Sequence, residues 1–140
     1  MDTTAKPDVP ILAGTHHVRL PVRDVERSVA WYAELLGYER DFPFKDGERV
    51  LGWALKHPAG GPSLVVIHDP ARAESGAGFP FFSFGMPDGE AIEAMRLRLD
   101  ARGIVHGGVQ KALAGIKLPF VQDPDGHLLG FYVTGPRDPD

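Results

Sequence analysis

Cysteine is absent from the chain. That excludes disulfide staples, thiolate nucleophiles and zinc or iron–sulfur sites with cysteine ligands. No apolar run approaches the length of a membrane span. An excess of basic charge is also lacking. Fifteen Lys and Arg stand against nineteen Asp and Glu, a formal net charge of −4. Non-specific nucleic-acid binding needs a positive field, and the composition supplies none, so no nucleic-acid partner is expected. Met1 to Pro10 carry Asp2, Lys6 and Asp8 and no apolar core of a secretion signal, so a cytoplasmic protein without membrane contact is expected.

What the chain has in plenty is glycine and proline, 17 and 13 residues in 140. They imply many turns and short elements, not a helical bundle. A hydrophobic fraction of 43% against 24% charged is enough for a folded core.

The pattern repeats itself. Val18, Leu20 and Val22 alternate as a strand and lead into Asp24, a helix N-cap candidate. The helix carries Val25, Val29, Tyr32, Leu35 and Leu36 and stops at Gly37. Sixty-four positions later Phe82, Phe84, Met86 and Asp88 repeat the arrangement, followed by Ile92, Met95 and Leu99 and a stop at Gly103. The same shift carries the apolar run Leu64–His68 onto Leu128–Tyr132. Between helix and last strand each half has room for two more strands. Tyr38–Phe44 and Arg49–Lys56 flank Asp46-Gly47, and His106–Ala112 and Lys117–Gln122 flank Ala114-Gly115.

The fold class expected is therefore α+β: two tandem βαβββ modules, eight strands and two helices, forming a curved mixed-sheet trough. Residues 1–13 read as an N-terminal extension, 14–70 as the first module and 71–78 as a linker. Residues 79–136 read as the second module and 137–140 as a C-terminal tail. One helix covers only one face of each sheet, so the other face must meet a second sheet or enclose something.

His17-Val18-Arg19-Leu20-Pro21-Val22-Arg23-Asp24, followed by Ser28, Trp31-Tyr32 and Leu35-Leu36-Gly37, resembles the glyoxalase/bleomycin-resistance/dioxygenase (vicinal oxygen chelate) superfamily. Phe120-Val121-Gln122-Asp123-Pro124-Asp125-Gly126-His127 is similar to that family's second signature. The resemblance covers roughly residues 14 to 135. It implies a site for a divalent metal with four ligand positions, usually His or Gln at the start of each leading strand and Glu on each final strand. These positions fall on His17, Phe81, Val66 and Gly130. Only His17 has a donor side chain, and one imidazole does not hold a divalent ion. No metal and no cofactor are therefore expected.

A rebuilt site from His17 and His68, with Glu48 or Asp69 in reach, is the competing expectation. His16 and His17, as neighbours in a strand, are expected on opposite faces. His127, Asp123 and Asp125 read first as turn residues. On the face shared with His17 the alternation places Arg19, Leu64, Val66, His68, Phe81, Ser83, Leu128, Gly130 and Tyr132. Trp53, Phe42 and Phe44 are expected as aromatic walls, and Gly130 as freeing volume. The ligand-binding set so read is His17, Arg19, Trp53, Val66, His68, Phe81, Ser83, Gly130 and Tyr132, with catalytic residues unassigned.

Apolar walls with few polar groups suit a small molecule. The function expected is a metal-free small-molecule binding protein of the bleomycin-resistance type, for a drug-like or aromatic compound, working as a homodimer. The acidic balance suggests a cationic guest. The alternative is a lyase, isomerase or dioxygenase of the same superfamily with a rebuilt or metal-free active site.

Overall fold

The computed structural model describes residues 8–135; the tail expected at 137–140 and the start of the extension lie outside them. The elements run β1 (His17–Val22), α1 (Val25–Leu36), β2 (Glu39–Asp46), β3 (Arg49–Lys56) and β4 (Ser63–His68). They continue as α2 (Pro70–Gly76), β5 (Phe82–Gly85), α3 (Gly89–Ala101), β6 (Gln110–Ala112), β7 (Gly115–Gln122) and β8 (Leu128–Thr134). Two four-stranded mixed sheets form, ordered β1-β4-β3-β2 and β5-β8-β7-β6. In each, the leading strand runs parallel to the final one, and the other pairs are antiparallel. Together with three helices this is the expected α+β architecture, and the sheets do not close into a barrel. No described helix is long and apolar enough to cross a membrane.

Local chemistry sets the helix ends. The Asp24 carboxylate accepts from Arg27 N at 3.0 Å, and Gly37 takes φ 83° at the C-terminus of α1. Such a φ suits glycine, because a Cβ there would crowd the backbone. Asp88 caps α3 in the same way through Ala91 N at 2.9 Å. The segment expected to be a linker is instead α2. Asp69 accepts from Arg72 N at 3.1 Å, and Pro70 fills the first helical turn, where its missing N–H is no loss.

Both modules turn their helix-bearing faces into one core. Leu20, Val22, Tyr32, Leu64 and Val66 of the first module and Ile92, Leu99, Leu118, Leu129 and Phe131 of the second belong to a single buried cluster. The sheet faces away from the helices take no part in it.

Candidate functional site

Strand register assigns every side chain to one of these two faces. On the first sheet, Arg19, Val65, Ala54 and Phe42 are successive partners across the strands. The neighbouring row is Pro21, Ile67, Gly52 and Phe44. Residues opposite one another share a face, so these eight line the open side. Gly52 and Ala54 lie under these side chains and are buried: Ile67 Cδ1 comes within 2.7 Å of where a Gly52 Cβ would stand, so the exposed surface of this face is made by Arg19, Phe42 and Phe44. The two rings meet at 5.3 Å, and the Arg19 guanidinium lies 5.9 Å from the Phe44 ring centroid. On the second sheet, one open row is Gly85, Tyr132, Lys117 and Gln110, and Ser83 pairs with Gly130 beside it.

Several expectations change with the register. Val66 is partnered by Leu20, not Arg19, and both are buried in the core with Leu64. It therefore faces the helices, not the side of His17. Arg19 pairs with Val65 whereas Ser83 pairs with Gly130, so the two final strands correspond at a shift of 65, one more than the leading strands. The position equivalent to Gly130 is thus Val65. Trp53 is also turned inward. It pairs with Val66, packs against the core, and carries the Arg40 guanidinium 4.6 Å from its ring centroid.

Arg19, Phe42, Phe44, Ser83, Gly130 and Tyr132 do take the open faces. Phe81 precedes β5 and stands exposed against Phe79, with ring centroids at 4.6 Å. Gly130 does not free volume. A Cβ there would fall 2.7 Å from Ser83 Oγ and 3.5 Å from the Tyr132 ring, so those side chains already occupy the hollow.

His17 and His68 cannot share an ion. His17 pairs with Ser63 and His68 lies five residues farther along β4, roughly 16 Å at strand rise. His16 lies outside β1 and is free of its alternation, so its Nδ1 comes 3.0 Å from that of His17. The two imidazoles face each other, contrary to the expectation of opposite faces. Val65, Phe81 and Gly130 offer no donor atoms, and two nitrogens alone fall short of the three or more protein ligands of known sites. Among the described residues no three His, Asp or Glu are grouped to hold a metal. The side chains at the family's ligand positions do not fit a divalent ion.

Large aromatic side chains stand exposed on or beside these faces. Phe42 is 51% exposed, Phe81 60% and Tyr132 38%. The hollow at one end of the first face, of about 510 Å³, is lined by Arg19, Pro21, Ile67, His68, Asp69 and Arg72. Asp69 is already engaged by Arg72 Nη1 at 2.9 Å, and this bonding holds its carboxyl below the usual range.

A polar cluster missed at the sequence level fixes the modules against each other. The carboxylate of Asp125, fully buried, accepts from Arg23 N at 2.9 Å and Nη1 at 3.2 Å, from Arg27 Nη2 at 3.4 Å and from Ser28 Oγ at 3.4 Å. Asp123 accepts the Tyr32 hydroxyl at 2.7 Å and the N–H groups of Asp125 and His127 at 2.9 Å. His127 Nε2 donates to the Pro21 carbonyl at 2.6 Å. Burial pushes the Asp123 carboxyl up against its hydrogen bonds, and burial beside Asp123 pushes the Tyr32 hydroxyl well up. The turn is thus a module clamp as well as a turn. The Asp-x-Asp-x-His alternation was its signal in the sequence, but its partners lie about a hundred residues away.

Comparison with known proteins agrees with this architecture. A model of the glyoxalase/bleomycin resistance protein/dioxygenase superfamily matches residues 14–131. Among solved structures, TnmS3, an antibiotic binding protein from Streptomyces sp. CB03234, superposes with a TM-score of 0.72 at 20% identity, covering 91% of this chain and 100% of that one. A glyoxylase/bleomycin resistance protein/dioxygenase domain from Frankia sp. EAN1pec gives 0.71 at 22% identity, with coverages of 93% and 96%. Lactoylglutathione lyase from Agrobacterium tumefaciens gives 0.68 at 16% identity, with coverages of 91% and 96%. No curated protein matches the chain.

Proposed function

Since the chain belongs to the glyoxalase/bleomycin resistance protein/dioxygenase superfamily, we propose that it is a metal-free binding protein of the bleomycin-resistance kind, holding a flat or aromatic small molecule on its open sheet faces. One observation carries this reading. Where the family resemblance puts metal ligands the chain has Val65, Phe81 and Gly130, and the open side of its first sheet presents the Phe42 and Phe44 rings with Arg19 beside them. Such a surface gives a planar guest dispersion and area burial, with Arg19, Ser83 and the Tyr132 hydroxyl to orient it. The antibiotic binding protein among its structural neighbours supports the same class.

The working unit proposed is a cytoplasmic homodimer. The two open faces of one chain lie outside its shared core and leave large aromatic residues uncovered. A second copy that sets its second-module face over the first-module face would cover them and enclose the guest.

Calorimetric titration with a panel of aromatic antibiotics, on protein dialysed against chelator, tests the function. Saturable binding by at least one member, weakened by Phe44→Ala, is expected. No binding by any member of a broad panel sinks the reading. Sedimentation analysis tests the dimer, and a monomer at assay concentration removes the enclosed site.

A further inference from the structure

We infer that the guest is an acid: an aromatic ring system bearing a carboxylate or similar oxyanion, held at Arg19. This rests on the small-molecule reading above and narrows it to one charge class. It reverses the cationic guest suggested by the net charge of −4, because a binding face responds to its own charges before the protein's total.

The two central rows of the first sheet hold one formal charge, Arg19, among Val65, Ala54, Phe42, Pro21, Ile67, Gly52 and Phe44. Among the described residues no carboxylate oxygen lies within 4.0 Å of the Arg19 guanidinium; Arg49 is likewise without one and Arg98 bonds backbone carbonyls, whereas Arg23, Arg27, Arg40, Arg72, Arg96 and Arg102 each have one. In the adjoining hollow Asp69 is the sole acid, and Arg72 neutralises it. The open row of the second sheet adds a further cation, Lys117, next to the Tyr132 ring, with Gln110 beyond it and no acid.

Arg19 therefore keeps its five donors for a ligand, in a planar fork suited to a carboxylate. Its contact with the Phe44 ring keeps the fork beside an apolar wall, so an oxyanion at Arg19 and a ring against Phe44 and Phe42 are met together. An ammonium group would meet Arg19 as a like charge, and Lys117 as a second one where the proposed dimer lays the second-module face over the first.

The test is titration of the full-length protein with three probes of equal shape: naphthoate, naphthamide and naphthylmethylamine. Naphthoate is expected to bind at least tenfold tighter than naphthamide, with the amine weakest. In the Arg19→Met variant naphthoate is expected to bind no tighter than naphthamide does to that same variant, and Lys117→Met reduces the preference. Both positions lie outside the core, and near-ultraviolet circular dichroism of each variant should match the parent. Raising the salt concentration should weaken naphthoate alone. Equal affinity for acid and amide, or a preference that survives Arg19→Met, overturns the charge assignment and leaves the binding reading standing. Failure of all three probes together with the antibiotic panel overturns both.

Discussion

Replacing Asp125 by Ala takes away the acceptor on which the two modules converge. Its carboxylate is wholly buried, whereas the side chains of Arg23 and Arg27 remain 41% and 46% exposed. The arginines therefore turn back to water when the acid is lost, and no uncompensated charge is left inside. Two other groups lose their partner: the half-buried Arg23 backbone N–H, at the low end of the cost, and the fully buried Ser28 hydroxyl. Orphaned buried polar groups cost about 1–3 kcal/mol each. The total lands at the lower end of the about 3–5 kcal/mol seen when a buried pair is broken. About 3 kcal/mol corresponds to a fall of about 10 °C in Tm for a chain of this size. Urea denaturation followed by circular dichroism measures it, with the m-value checking that unfolding stays two-state. Asp125→Asn keeps an oxygen for Arg23 N–H and should lose less than half as much. A Tm for Asp125→Ala within a degree or two of the parent would falsify the clamp.

Tyr32→Phe removes a 2.7 Å bond to buried Asp123, and a loss of about 1.5–3 kcal/mol is expected in the same assay. Gly115→Ala tests a backbone approach: a Cβ at φ 126° would sit 1.8 Å from the Val133 carbonyl oxygen, so the β6–β7 hairpin must shift and the variant should melt far below the parent. The buried Asp123 carboxyl is pushed up, so its protonation favours the folded state. Relative to Asp123→Asn, the parent should gain stability as pH falls through that raised value. The gain is complete below the ordinary aspartate value and lost again as pH rises. A parent that instead loses ground to the variant on acidification contradicts the burial argument.

Local signals were the legible ones. Asp24, Gly37 and Asp88 act on groups three or four residues away, so their capping roles could be read directly from the chain. Pro70 after Asp69 was an equally local sign of α2, obscured because the segment Ala71–Gly76 has little apolar periodicity. The face of Val66 was not legible. Leu64, Val65, Val66 and Ile67 are apolar without a break, so period-two alternation has nothing to act on, and only the pairing with β1 fixes the phase. Once the phase is corrected, Val65 replaces Val66 at the position where the family resemblance puts a ligand, and neither side chain has a donor atom. Trp53 misled for a related reason: alternation with Leu51 and Leu55 is real, but both faces of this sheet have apolar residues to offer. The cationic quality of the open face is a property of arrangement. Fifteen basic residues are outnumbered in composition, yet among the described residues the fold leaves no carboxylate oxygen within 4.0 Å of the Arg19 guanidinium.

The most direct test of metal-independent binding is calorimetric titration of chelator-treated protein with its best aromatic ligand, repeated after adding manganese, nickel or zinc. The account predicts saturable binding in the first titration, with the same affinity in the second. Binding that appears only when the ion is restored would contradict it.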